Sequence, residues 1–201
     1  LLDLAKEKLI AGGIETVETH LRNGDFVDTV TEFQDDSDII VIGKRGEAAD
    51  FAKMHLGSNL ERLIRSTNRP VLVAARAFKP INRILVAFDG GRSSYGAIEY
   101  VASNKLYSQL ECHIVVAGKD GSRGHKQSTH AENLLKKAGI KYRVFFERGE
   151  PEKVISDHVE QHNIDLLVMG AYGHSRIRNL MIGSTTTQMI RSCLVPVLLF
   201  R

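Results

Sequence analysis

The apolar positions of this chain fall into two patterns. Short, unbroken apolar runs recur at IIVIG (Ile39–Gly43), VLVAA (Val71–Ala75), LLVMG (Leu166–Gly170) and VLLF (Val197–Phe200). Such runs are expected of strands buried on both faces, as in a parallel sheet. Between them, VDTVTEF and PEKVISDHVEQH carry apolar residues at a spacing near 3.6, and the second has a proline suited to a helical first turn. Strands that alternate with helices predict a parallel sheet covered on both sides.

The pattern also repeats. Gly13 to Ala75 aligns with Gly139 to Phe200: SDIIVIG faces IDLLVMG, and LGSNLERLIRSTNRPVLVA faces IGSTTTQMIRSCLVPVLLF. The offset stays between 125 and 127 residues. Each copy reads as strand, helix, strand, glycine loop, helix, strand. The second copy has more in front of it: strands at NRILVAFD and ECHIVVAG, and helices at GRSSYGAIEYVASNK and HAENLLKKAG, the latter stopping at Gly139. The expected architecture is α/β: a doubly wound, five-stranded parallel sheet of order 3-2-1-4-5, in two tandem copies of which the first is incomplete. Residues 1–77 read as the back part of a first domain, 78–81 as a linker around Pro80, and 82–201 as a complete second domain. The opening LLDLAKEKLIAGG reads as mid-helix and not as a signal peptide. A first half of this kind leads us to expect roughly 75 further residues upstream, or another chain that completes the sheet.

Composition narrows the function classes. The chain is 43% hydrophobic and 25% charged, an ordinary globular balance. A net charge of +3, evenly spread, argues against a nucleic-acid binder. Cys112 and Cys193 lie in apolar surroundings and read as core residues in a reducing, cytoplasmic compartment. No clustered Cys/His set suggests a metal, and no apolar run reaches the roughly 18 residues of a membrane span. DDSD, near Asp35, and KDGSRGHK, near Arg123, read as solvated loops.

The candidate chemistry lies in MGAYGHSRIRNLMIGSTTTQ, Met169 to Gln188. Gly170-x-x-Gly173 leaves the carboxyl end of a strand, and Gly183-Ser184 opens a helix. Bare backbone at a helix N-terminus favours an anion. Ser184, Thr185 and Thr186 add hydroxyls, and His174, Arg176 and Arg178 add positive charge. The alternative is ordinary punctuation of the fold. In VAFDGGRSS, Asp89 follows the strand of the second domain, where a carboxylate suits ribose hydroxyls or an adenine edge. It also suits a cap on the helix from Arg92.

These residues resemble the universal stress proteins, whose α/β domain carries an Asp after strand one and Gly-x-x-Gly-(nine residues)-Gly-Ser/Thr after strand four. The resemblance covers nearly the whole chain, in two copies. It implies ATP or another adenine nucleotide. The Ser184 hydroxyl is suited to help hold Mg²⁺, as a P-loop hydroxyl does. Asp89 would sit by the adenosine and Val116 would offer backbone bonds to adenine. Gly170, Gly173, Gly183, Ser184 and Thr185 would hold ribose and phosphates, with His174 and Arg176 as further phosphate contacts. Gly91 departs from the family, which often has Ser there. In the first half ten residues separate Gly46 from Gly57, and Glu47 would repel phosphate, so only the second half is expected to bind nucleotide.

No Walker lysine is present, so a nucleotide-dependent switch or binding module with at most weak hydrolysis is expected. Two other classes stay open. One is a nucleotide-free protein that works through dimer contacts. The other is an ATP pyrophosphatase, whose phosphate loop DGGRSS faintly echoes. The apolar final strands RPVLVAA and VPVLLF are expected to pair as an internal pseudo-dimer, with a homodimer of such chains as a further step.

Overall fold

Apolar runs bounded by amphipathic helices can bury themselves only by lining up side by side. In the computed structural model, which describes residues 1–43, 58–118, 121–172 and 182–201, they do so in one sheet. Its strands are β1 (Ile40–Gly43), β2 (Val71–Ala74), β3 (Arg83–Ala87), β4 (Glu111–Ala117), β5 (Lys141–Glu147), β6 (Leu166–Gly170) and β7 (Val197–Phe200). The helices are α1 (Leu2–Ala11), α2 (Phe26–Glu32), α3 (Ser58–Ser66), α4 (Arg92–Ser103), α5 (Gly121–Lys137), α6 (Pro151–Gln161) and α7 (Ser184–Ser192).

The spatial order is β1-β2-β7-β6-β3-β4-β5. All neighbours are parallel except β2 and β7, which run antiparallel with Leu72 opposite Leu198. Within the second half, therefore, the strands lie third, second, first, fourth, fifth. The two final strands join the halves into a single sheet of seven strands among the described residues, and not into two separate sheets.

Both faces of the inner strands are covered, while edge strand β1 leaves Val41 61% exposed. One core packs α6, α7 and α3 against the sheet through Val154, Ile155, Met189, Ile190, Leu60 and Ile64. The other packs α4 and α5 through Ala97, Ile98, Val101, Ala131 and Leu135. Leu85, Val86, Leu167, Val168 and Leu198 are 0% exposed, as strands covered on both faces require.

Two expectations need correction. The first repeat was expected to open with a strand, but residues 15–21 form none. Its counterpart β5 is held by β4, and no strand among the described residues supplies ladder partners to residues 15–21. The segment KDGSRGHK is largely helical and not a loop, because α5 begins at Gly121. Its two glycines are poor helix formers, yet the downstream turns bury Ala131 and Leu135 and carry the helix. Helix α1 forms at the opening segment and buries no residue. Residues 76–80, between β2 and β3, are irregular and mostly exposed, with Phe78 at 91%.

Candidate functional site

Strand β3 stops at Ala87, and Phe88 N–H still reaches Val115 O at 2.9 Å. The chain then turns through Gly90 in the left-handed region, at φ +73°. Asp89 is exposed. Its Oδ1 accepts from Gly91 N at 2.8 Å and from the Ser94 hydroxyl at 2.7 Å. So this carboxylate organises the first turn of α4 while standing at the sheet edge. Gly91 leaves it room, since a Cβ there would come within 3.0 Å of Oδ1.

Gly170 ends β6, and its bare backbone is filled by protein. A Cβ at Gly170 would stand 2.8 Å from Ser93 Cβ and 3.3 Å from Ser94 N. The glycine thus lets the start of α4 pack directly on the end of β6. The start of α7 meets the same corner. Gly183 N–H donates to Ala171 O at 3.1 Å, and the buried Thr186 hydroxyl donates to Gly170 O at 3.1 Å. The ends of β3 and β6 and the starts of α4 and α7 therefore share one corner, at the point where the strand order reverses.

Gly183 is the N-cap of α7 at φ −58°, ψ 146°, angles open to any residue. The first intrahelical bond is Thr187 N–H to Gly183 O, so the amides of Ser184, Thr185 and Thr186 have no acceptor within the helix. The hydroxyl run divides three ways. Ser184 is exposed, Thr186 is buried on backbone carbonyls, and Thr185 donates to Glu152 Oε1 at 2.6 Å. Ser184 and Arg191 also border a groove of about 550 Å³ between α7 and α3, closed on the far side by Glu61 and Arg65.

The strand alternation revises the backbone candidate on β4. Val115 turns its backbone towards β3. Val116 therefore turns towards β5, where it is paired with Phe146. Ala117 turns back towards β3, which has already ended. Its amide and carbonyl, not those of Val116, face the open corner. Ser93 and Ser94 are 8% and 1% exposed, which withdraws the hydroxyls that a pyrophosphatase-type loop would present. Gly173, His174, Arg176 and Arg178, like Gly46, Glu47 and Gly57 of the first half, lie outside the described residues.

A second grouping escaped the sequence reading, which found no clustered Cys/His set. The fold brings His113 of β4 beside His158 and His162, with one ring nitrogen of each within 4.8 Å of the others. The available signal was the four-residue step from His158 to His162, which aligns both on one helical face. The third member comes from a distant strand and was invisible. Cys112, next to His113, points to the opposite face, and burial pushes its thiol up to about 12.

Among the described residues no helix is long and apolar enough to cross a membrane. A family model described as the Universal stress protein family matches residues 1–75 and 80–201. Universal stress protein Slr1230 of Synechocystis sp. is 42% identical over 203 residues, covering 100% of this chain and 71% of the relative. The crystal structure of a universal stress protein from Archaeoglobus fulgidus superposes with a TM-score of 0.78 at 28% identity, covering 100% of this chain and 74% of that one. A universal stress protein solved in complex with cAMP shares the fold over 61% of this chain and 98% of its own, at a TM-score of 0.52 and 22% identity. Two matched segments that together span nearly all of the chain, and a relative this close, settle the family: the chain belongs to the universal stress proteins.

Proposed function

We propose that the second half of this chain binds an adenine nucleotide, ATP in the first place, and acts as a nucleotide-dependent switch or binding module. The observation that carries this reading is the convergence of two helix starts at the carboxyl ends of β3 and β6. Ligands of open α/β sheets lie in such a crevice, and helix N-termini favour phosphate. A relative of the same fold solved with cAMP is consistent with it.

In this reading the nucleoside lies by Asp89 and the backbone of β4, with Ala117 better oriented than Val116. The phosphates lie at the amides of Gly183, Ser184 and Thr185, and Mg²⁺ would be met by the Ser184 hydroxyl. Gly173, His174 and Arg176, outside the described residues, are proposed as further ribose and phosphate contacts. Gly170 contributes by letting α4 approach, since the space where a Cβ would stand is filled by Ser93. Asp89 is committed at the nucleoside end, so no residue is assigned to catalysis and hydrolysis is expected to be weak. In the first half ten residues in place of nine separate Gly46 from Gly57, and Glu47 would repel phosphate, so one nucleotide per chain is expected.

Isothermal calorimetry of Mg²⁺-ATP binding, with Gly183→Asp as control, tests this. Aspartate fits the backbone angles of an N-cap, so the variant keeps the fold while putting a carboxylate where phosphate would sit. The expected result is one site per chain, lost in the variant. Two sites per chain, or equal binding by both proteins, would overturn it.

A further inference from the structure

His113, His158 and His162 stand on the face of the sheet covered by α6, in the second half. His113 and His158 are 2% and 1% exposed, and His162, at the end of α6, is partly exposed. Phe145 walls the group, with ring centroids 4.9, 4.6 and 5.1 Å from His113, His158 and His162. The rings of His158 and His162 stack at 4.1 Å.

The contacts need more protons than neutral histidines hold. His113 Nε2 lies 3.3 Å from Glu111 Oε1, His158 Nδ1 lies 3.0 Å from Glu147 Oε1, and His113 Nδ1 lies 2.9 Å from His158 Nε2. Each contact requires a hydrogen between its two atoms. Two neutral imidazoles bring two. With both directed to the carboxylates, two bare nitrogens face each other at 2.9 Å. A third proton would make an imidazolium, a charge that is costly on rings 2% and 1% exposed.

A cation of another kind completes the group. We propose that His113 Nδ1, His158 Nε2 and a ring nitrogen of His162 bind a divalent transition-metal ion, with zinc the first choice. Imidazole suits such ions, and Zn–N bonds of about 2.0–2.1 Å put ligating nitrogens roughly 3.3 Å apart. The observed nitrogens, all within 4.8 Å, need modest movement, greatest at His162, whose helix end can give. The two carboxylates accept the outer N–H groups of two ligands, the arrangement that fixes the tautomer of metal-bound histidine. Arg83 holds that shell in turn: its Nε lies 2.9 Å from Glu111 Oε2, and Nη1 donates to the carbonyl of His162. Three protein ligands leave a fourth position for water on the side of His162.

The test uses the full, tag-free chain, stripped with chelator and dialysed. Zn²⁺ is titrated by calorimetry, bound metal is counted by mass spectrometry, and Co²⁺ is added as a visible probe. The expected result is one Zn²⁺ per chain and d–d bands of low-coordinate Co²⁺. His162→Gln should remove stoichiometric binding while melting in chelator as the parent does. Glu147→Gln, which keeps every ligand, should weaken affinity by about 10–100-fold. No stoichiometric zinc, or undiminished affinity in His162→Gln, would overturn the site and leave the histidines as a pair sharing one proton.

Discussion

At the scale of single residues, the candidate site is built from side chains that also hold the fold together. Asp89 shapes the first turn of α4, Gly170 admits Ser93, and Thr186 ties α7 to the end of β6. Gly170→Ala must push Ser93 aside at a 2.8 Å contact. We expect a loss of about 1–3 kcal/mol in denaturant unfolding, as overpacking gives. The hydroxyl run makes a finer prediction. Ser184→Ala should weaken ATP roughly fivefold, the worth of about 1 kcal/mol of hydrogen bond. Thr185→Val should do less, because that hydroxyl is already given to Glu152. Titration of both variants with ATP checks the order. The sequence made these positions visible by residue type and spacing. It could not separate their roles, because Ser93 and Glu152 reach the corner only through tertiary packing. The histidines show the same limit: the step from His158 to His162 is local, whereas His113 joins them from 45 positions away.

At the scale of elements, a side chain can set the start of a helix without marking itself in the apolar pattern. Asp25 was silent in the sequence reading, yet its Oδ1 accepts from Val27 N at 2.9 Å and Asp28 N at 3.2 Å at the start of α2. Arg62 of α3 adds an ion pair at 2.9 Å. The guanidinium and the helix amides hold the Asp25 pKa below its ordinary value. A carboxyl whose pKa is depressed on folding stabilises above its unfolded pKa, and that contribution is lost as pH falls through the folded one. Asp25→Ala should therefore lower the melting temperature at pH 7, and the gap from the parent should close towards pH 3. A gap independent of pH would contradict this role. The inner strands were legible because burial on both faces leaves an unbroken apolar run; β1 carries the same run, but as an edge strand it leaves Val41 61% exposed. The start of α5 was not, since Gly121 and Gly124 are helical only through the packing of the turns that follow.

At the scale of the whole molecule, the repeat in the sequence becomes one sheet with a seam. Antiparallel pairing of β2 with β7 makes the core continuous, so that Leu60, Ile64, Val71 and Val73 of the first half pack in one cluster with Met189, Ile190, Val197 and Leu199 of the second. Leu198, 0% exposed and opposite Leu72, sits on that seam. Leu198→Ala should cost about 2–5 kcal/mol. Parent and variant should each unfold in one transition, with circular dichroism and tyrosine fluorescence coincident. Two separated transitions would show the halves to be independent. The equivalence of the halves stops at the ligand corner: in the second half Asp89 follows β3, whereas the strands formed by the described residues of the first half, β1 and β2, correspond to β6 and β7. The most direct measurement of that asymmetry is an amide NMR titration of the full chain with Mg²⁺-ATP. The predicted shifts gather at Asp89, Ala117, Gly170 and Gly183 to Thr185, with residues 58–74 unmoved. Shifts centred on α3 and β2, or none at the α7 start, would contradict the account.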